Sequence, residues 1–431
     1  MARKKIREYD SKSLINKHAK RLANLDLNIK TAQINASTNF EALAAANPWL
    51  LQTKLVVKPD MLFGKRGKSG LVKLNMTYDE VVAFCREKLG SKVVINNVCG
   101  EITTFVVEPF TPHGAEYYVG LGSERDGIKV SFGACGGIDI EENWDQVAHM
   151  LIPTEEVDNI NPDHFNKLLG THAAHADGPA IKAFLDAALK VFEQLDFTLM
   201  EINPLAVVNG VALPLDMRGE LDDTALFQNT KNWHGAELFP EPFGAKMSAE
   251  ERTIRDMDER TGASLKLTVL NPNGNIWAMV AGGGASVIYA DTVGDLGYAS
   301  QLGNYAEYSG APTREETFAY AKELLKVATR PREGGDAGRR ALLIGGGVAN
   351  FTDVAATFAG IVDALRLYQD AIRACNMRIY VRRGGPNYRK GLELMTEIGK
   401  ELGVPMTVNG PETSMTRICA DAIDYVEHGA A

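Results

Sequence analysis

The spacing of apolar positions divides the chain into two differently built parts. Up to about residue 235, short strand-like runs stand at LVVKPD (55–60), FVVEPF (105–110), EYYVGLG (116–122), KVSFGA (129–134), FTLMEI (197–202) and VALPLDM (211–217). Three-and-four spacing marks helices at TYDEVVAFCREKL (77–89) and AIKAFLDAALKVFEQL (180–195). Asp126-Gly127 and Asn209-Gly210 fall between alternating runs, and such dipeptides favour a tight turn with positive φ at both central residues, so two hairpins are expected. The text changes at HGAELFPEPFG (234–244), and AEERTIRDMDERTG (249–262) is charged almost throughout. Beyond it, strands at LKLTVLN, IWAMVA, ALLIGG, RIYVRR and PMTV alternate with helices from about 285, through TREETFAYAKELLKVA, after 350, and through YRKGLELMTEIGKEL. That alternation predicts an α/β domain with a doubly wound parallel sheet. REGGDAGRR (332–340) reads as an exposed loop.

Length and composition narrow the class. A chain of 431 residues with 45% hydrophobic content can bury more than one core. A net charge of −9, spread along the sequence, argues against a polyanion-binding surface, so nucleic acid is not an expected partner. Five widely spaced cysteines without a Cys-x-x-Cys pair point to a reducing, cytoplasmic setting with neither disulfides nor zinc. No apolar run approaches the roughly 18 residues of a membrane span. The opening MARKKIREYDSKSLINKHAKRL lacks an apolar signal core and reads as a solvated helix face.

Candidate chemistry gathers first at the glycines. VAGGGASV (280–287) and LIGGGVANFT (343–352) each end a strand with three glycines and open a helix. A third strand end, RIYVRRGGPN (378–387), adds Arg382 and Arg383. In an open parallel sheet, ligands lie beyond the carboxyl ends of the strands, where helix N–H groups and the helix dipole favour anions. Gly282, Gly283, Gly284 and Ser286, with Gly345–Gly347 before the capping types Asn350 and Thr352, therefore outline an anion site. Its charge-assisted hydrogen bonds would contribute about 1.5–3 kcal/mol each. Neither turn has the third glycine of a dinucleotide fingerprint, which disfavours NAD. Tyr368 continues an apolar stripe through Phe358, Ile361 and Leu365, and by spacing alone it is a packing residue.

The second concentration is FTLMEINPLAVVNGVALPLDMRGE (197–220). With Asn209-Gly210 as a two-residue turn, cross-strand partners have numbers adding to 419, which sets Asn203 opposite Asp216 and Glu201 opposite Arg218. An amide facing a carboxylate suits Mg²⁺, which takes oxygen ligands and shares them with phosphates. Pro204 cannot donate to a ladder, so pairing is expected to fail beside it. GKRGKSG (64–70) lacks the first glycine of a P-loop, Leu62 standing in its place, and reads as a basic glycine-rich loop over phosphates, with Lys58 on the preceding strand.

LVVKPD, KRGKSG, VVEPF and MEINPL, followed by the Asn-Gly hairpin, resemble the ATP-grasp part of the succinyl-CoA synthetase β-subunit family. NPWLL, TGASLKLTVLNPNGNIWAMVAGGGASV, NYAEYSGAP, ANFTDVAATF and VRRGGPNY narrow the likeness to the ATP-citrate lyase family, over nearly the whole chain from about residue 40. The resemblance implies an ATP-grasp domain over 1–243, in two subdomains split near 110, a linker at 244–262, and a doubly wound, flavodoxin- or Rossmann-like citrate-binding domain over 263–431. It places Lys58, Arg66 and Gly67 on ATP phosphates, Glu108, Pro109 and Thr111 at the adenine, Glu116 at the ribose, and Asn203 and Asp216 on Mg²⁺. Citrate is expected at Gly282, Gly283, Gly284, Ser286, Ser309, Gly310, Asn350, Thr352, Tyr368 and Arg383. The family passes phosphate through a histidine in a Gly-His-Ala-Gly loop, and none of the eight histidines here lies in one. The phosphohistidine, the lyase domain and most of the coenzyme A site are therefore expected on a second subunit. His172 and His175 in HAAHADG lack a third metal ligand nearby. Two alternatives from the sequence are a subunit of a succinyl-CoA synthetase-like ligase and a nucleotide-sensing subunit without turnover.

Overall fold

Residues 3–64, 66, 70–95, 97–233, 239–332 and 338–429 are described by the computed structural model. Gly67, part of the stretch 234–244 where the text changes, and part of the expected loop at 332–340 lie outside them. The chain divides into two units, Met1–Lys246 and Met247–Ala431.

The first unit runs β1 (Arg3–Ile6), α1 (Glu8–Ala23), β2 (Ala32–Asn35), α2 (Phe40–Ala46), β3 (Leu55–Pro59), β4 (Lys73–Met76), α3 (Tyr78–Lys88), β5 (Lys92–Ile95), β6 (Val98–Glu101), β7 (Thr104–Pro109), β8 (Tyr117–Glu124), β9 (Gly127–Gly133), β10 (Ala148–Ile152), α4 (Asn166–Leu169), α5 (Gly178–Gln194), β11 (Phe197–Val208), β12 (Val211–Pro214), β13 (Met217–Asp222) and α6 (Leu226–Asn229). One sheet is ordered β1-β13-β11-β8-β9-β10 with β12 beside β11, and a second is ordered β2-β7-β3-β4. Leu14 and Ile15 of α1 join Phe184, Leu185 and Leu189 of α5 over Val119, Leu121, Met200 and Ile202 of the larger sheet.

Two local expectations change here and one holds. The opening helix is not a solvated face: α1 buries Glu8, Ser11, Lys12, Leu14, Ile15, His18 and Ala19. Asn209 and Gly210 do form the turn, with φ 52° and 77°. The β8–β9 turn, however, is Arg125-Asp126, because Glu124 pairs with Gly127. Gly127 is required one position later, where a Cβ would lie 2.3 Å from the Ile152 carbonyl of β10.

The second unit runs α7 (Ala249–Arg260), β14 (Ser264–Val269), β15 (Ile276–Ala281), α8 (Gly283–Val293), β16 (Asn304–Ser309), α9 (Arg314–Ala328), β17 (Arg340–Gly346), α10 (Val354–Leu367), α11 (Gln369–Ala374), β18 (Met377–Arg382), α12 (Tyr388–Leu402), β19 (Met406–Asn409) and α13 (Arg417–His428). The sheet order is β14-β16-β15-β17-β18-β19. Trp277, Met279 and Ala281 of β15 face the layer that holds Tyr320 of α9 and Phe358 of α10, while Ile276, Ala278 and Val280 face Tyr289 of α8 and Ile418 of α13. Burial on both faces is why these strands read as unbroken apolar runs.

The expected parallel sheet carries an antiparallel edge, since β14 runs against β16, a strand the apolar pattern does not reveal. The stretch expected as a linker is also structured. α7 starts at a Ser248–Glu251 capping box, buries Ile254, and belongs to the second unit. Among the described residues no helix is long and apolar enough to cross a membrane.

Candidate functional site

In the first unit, β3 and β7 pair antiparallel with Lys58 opposite Val106 and Val56 opposite Glu108. Lys58 and Glu108 are thus diagonal neighbours on one face. The Lys58 ammonium meets Glu8 Oε1 at 2.5 Å, Glu108 Oε2 at 2.8 Å and the Leu215 carbonyl at 2.7 Å. Lys12, one turn after Glu8 on α1, meets Glu8 Oε1 at 2.8 Å, Glu108 Oε1 at 2.6 Å and the same Leu215 carbonyl at 2.9 Å. Arg66 donates to the Pro59 carbonyl at 3.1 Å, approaches Glu8 Oε2 at 2.7 Å, and binds Asp216 Oδ1.

The free carbonyl has a backbone origin. Leu215 N–H donates to the Pro204 carbonyl at 2.9 Å. An antiparallel pair would return that bond, but proline has no N–H to return, so the Leu215 oxygen is left to the two lysines. Asp60, fully buried, accepts from the Glu8 and Tyr9 N–H groups at 2.9 and 3.4 Å and so caps α1 from the end of β3.

Charge in this cluster is tightly coupled. Burial alone would raise the Glu8 pKa, but Lys12, Lys58 and Arg66 together hold it well below the usual carboxylate range. Burial works against the charged form of Lys58, and Glu108 and Glu8 overcome it, raising its pKa. Asp216 is raised by burial and by Glu8, against the pull of Arg66.

The end of β7 leads into the residues expected around adenine and ribose. Phe110 N–H donates to the Lys54 carbonyl at 2.7 Å and Thr111 Oγ to the Pro109 carbonyl at 3.2 Å. His113 stands between the Thr111 carbonyl, 2.8 Å from Nδ1, and Glu116 Oε1, 2.9 Å from Nε2. Both neighbours are acceptors, so the arrangement calls for a doubly protonated ring. Burial lowers the His113 pKa, and the bonds to Glu116 and Thr111 outweigh it, leaving the pKa raised. The second Glu116 oxygen packs on Gly137, where a Cβ would come within 2.2 Å. Gly137 N–H in turn donates to Asn203 Oδ1 at 2.6 Å, and Asn203 Nδ2 to the Gly137 carbonyl at 3.1 Å.

Lys58 thus meets Glu108 and Arg66 meets Asp216, with Glu8 joining the two pairs, while Pro109, Thr111, Glu116 and Asn203 join through the loop at 110–116 and Gly137. Asn203 lies opposite Asp216, as the hairpin arithmetic requires, and its N–H donates to the Asp216 carbonyl at 3.0 Å. Apolar spacing and motifs do not single out Glu8, Lys12, Asp60 or His113. The one available signal was the Glu8–Lys12 spacing of a helical ion pair.

In the second unit, Ala281 is in register with Gly346 and Ile344 with Val381, so the tips of β15, β17 and β18 are adjacent. Gly282, at φ 98°, turns the chain into α8. Ser309 and Gly310 end β16, beside β15, at the same edge. Ser286 is buried, its hydroxyl 3.0 Å from both the Gly282 and Ala306 carbonyls, so it fixes the turn. The Glu307 carboxylate lies at the amino end of α8, where a Cβ on Gly283 would be 3.0 Å from it, and Ser309 Oγ donates to Glu307 at 3.1 Å.

The two arginines differ. Arg382 donates to the carbonyls of Gly346, Pro411 and Thr413 at 2.9, 3.0 and 2.9 Å, which makes it a brace between the β17 tip and the loop after β19 and not an anion ligand. Arg383 donates to the Gly347 carbonyl at 2.7 Å, and its buried Nε has no partner. Asn350 and Thr352 lie on the loop after Gly347, but neither caps α10; Asp353 does, accepting from Ala356 N–H at 3.0 Å. Tyr368 sits at the carboxyl end of α10, about 20 Å along the helix from Val354 at a rise of about 1.5 Å per residue. The structure does not bring Tyr368 to the glycine edge.

Comparison with known proteins bears on both units. A family profile described as "ATP-citrate synthase ATP-grasp domain" matches residues 2–233, and one described as "ATP citrate lyase citrate-binding" matches residues 245–425. The ATP-citrate synthase alpha chain protein 2 of rice is 58% identical over 426 residues, 99% of each chain. The human ATP-citrate synthase is 41% identical over 99% of this chain, which spans 38% of that protein. The structure of ATP citrate lyase from Methanothrix soehngenii, in complex with citrate and coenzyme A, superposes with a TM-score of 0.88 at 44% identity, covering 98% of this chain and 100% of that one. The chain belongs to the ATP-citrate lyase family, with the alpha chains that join an ATP-grasp domain to a citrate-binding domain.

Proposed function

We propose that this cytoplasmic chain binds Mg·ATP at the Lys58–Arg66–Asp216 cluster and citrate at the glycine edge, and works with a second subunit that carries the phosphorylated histidine, the lyase domain and most of the coenzyme A site. The observation that carries this reading is the convergence of Lys58, Arg66 and Asp216 on the break in the β11–β13 hairpin, beside the end of β7. Lys58 and Arg66 bear on the phosphates, backbone groups of Pro109–Thr111 on the adenine edge, and Glu116 on the ribose hydroxyls.

Mg²⁺ fits the donor set. Asp216 is engaged by Arg66 through Oδ1. The Asn203 amide oxygen has a second lone pair beyond its bond from Gly137. Mg²⁺ takes one or two protein ligands and completes its shell with phosphates and water. Bound there, Mg²⁺ would neutralise phosphate charge. Lys58 and Arg66 hold the γ-phosphoryl group in line, as positioning and charge stabilisation dominate phosphoryl transfer.

The β–γ phosphoanhydride bond breaks as a P–N bond forms to the partner's histidine, releasing ADP. A citrate carboxylate oxygen, held near Arg383, then takes the phosphoryl group, and the coenzyme A thiolate displaces phosphate to give citryl-CoA. The partner cleaves that product to acetyl-CoA and oxaloacetate. To test this, the chain is mixed with its partner subunit and γ-labelled ATP. An acid-labile histidine label that citrate discharges is expected. No label, or discharge by succinate as readily as by citrate, overturns the assignment.

A further inference from the structure

Every donor on Lys58 is already taken. Its three ammonium protons are matched by Glu8, Glu108 and the Leu215 carbonyl, and Arg66 is shared between Glu8, Asp216 and the Pro59 carbonyl. Three cations, Lys12, Lys58 and Arg66, face three carboxylates, Glu8, Glu108 and Asp216, so the cluster is formally neutral. A nucleotide polyphosphate cannot reach the Lys58 ammonium unless one of its ligands yields, and Glu8 and Asp216 offset the charge of Arg66.

The geometry singles out which one. The Leu215 oxygen is backbone, fixed by the hairpin. Glu108 is on the β7 strand, between β2 and β3 in its sheet, and is shared with Lys12. Asp216 touches Arg66 but not Lys58. Glu8 alone bridges both phosphate-binding residues, one oxygen on each. It also has a partner on its own helix, Lys12 at 2.8 Å, which can keep it neutralised after it lets go. The side chains of Glu8 and Lys12 are 2% and 1% exposed, so neither exchanges its partners for water. The first turns of α1 border a cavity of about 280 Å³ lined by Tyr9, Lys12, Ser13, Asn16, Lys30 and Trp49, which gives Lys12 room to follow.

We propose that Glu8 is a carboxylate gate on the nucleotide site: it stands where phosphate oxygens will lie, holds Lys58 and Arg66 between its two oxygens, and withdraws onto Lys12 when the polyphosphate arrives. Glu8 thereby sets nucleotide affinity as a positioning residue, without touching the reacting atoms. A carboxylate lost from a neutral cluster leaves a net positive site, and a buried amide in its place retains the shape. The inference rests on the nucleotide reading given above.

The test uses the full chain and isothermal titration with ATP and with inorganic tripolyphosphate. Glu8→Gln is expected to lower the dissociation constant for both at least tenfold, whereas a merely structural glutamate would leave binding unchanged or weaken it. Glu8→Asp retains the charge near Lys12 but draws it back from Lys58 by one methylene; a smaller gain in the same direction is expected, and this variant decides the matter if the glutamine form does not fold. Unchanged or weaker binding in the folded variants overturns the gate. If the wild-type chain binds ATP and Lys58→Met abolishes binding while both Glu8 variants match wild type, only the gate falls. If the wild-type chain binds neither ligand, the nucleotide reading falls with it.

Discussion

Replacing Arg382 with methionine removes a side chain that ties the β17 tip to the loop after β19. Its three hydrogen bonds to backbone carbonyls, at 2.9, 2.9 and 3.0 Å, are made in a buried setting. A hydrogen bond from a charged donor contributes about 1.5–3 kcal/mol, and bonds sharing one side chain do not add fully, so a loss of about 4 kcal/mol is expected. For a unit of about 150–250 residues each kcal/mol moves the melting temperature by about 2–4 °C, which places the shift near 8–16 °C. Differential scanning calorimetry of the full chain reads this directly. Arg383→Ala breaks a single carbonyl contact, so it should shift the same transition by much less while weakening citrate binding in calorimetric titration. The reasoning is refuted if Arg382→Met keeps its transition within about 2 °C and loses citrate instead, since Arg382 would then be a ligand and not a brace.

Asn304 is fully buried, and its amide exchanges two 2.8 Å bonds with the backbone of Ala278; Asn304→Leu should cost about 2–5 kcal/mol in urea titration, and a loss under about 1 kcal/mol would contradict that pairing. A Cβ on Gly345 would lie 2.4–2.7 Å from the Tyr289 ring, so Gly345→Ala should destabilise by about 1–3 kcal/mol, with part of the loss recovered in the double variant with Tyr289→Leu; strict additivity of the two would mean that the ring is not what the methyl meets. His113 carries a raised pKa, so its contribution to stability is complete below pH 6.5 and is lost as the pH rises through the elevated value. The melting difference between wild type and His113→Gln should therefore shrink from pH 5.5 to pH 8.5, and a difference independent of pH would show that the ring does not titrate against Glu116.

Local rules carried far where the chemistry is local. The Asn209-Gly210 turn set the register of β11 against both β12 and β13, so that Glu201 meets Arg218, because an Asn-Gly turn leaves little freedom in pairing. The glycine tips came together because strand–helix alternation forces neighbouring parallel strands to end at one edge. What escaped depends on distant partners. EYDSKSLINKH looks polar, yet Glu8 and Lys12 are neutralised by residues 50 and 96 positions away in sequence. β16 has the alternation of a half-buried strand, but NYAEYS has Asn, Glu or Ser at half of its positions and even buries Asn304 in the sheet. Nothing in the pair Arg382-Arg383 indicates which side chain will find carbonyls within reach, since those carbonyls arrive from loops that follow β17 and β19.

The missing proton on Pro204 has a consequence for how this chain tolerates change. The anchor offered to Lys12 and Lys58 is a peptide oxygen, and every amino acid at position 215 supplies the same one. Leu215 can therefore vary within the limits of packing while the lysines stay moored, whereas a residue with an amide hydrogen at 204 would compete for that oxygen. The vulnerable spot is a neighbour that neither lysine touches.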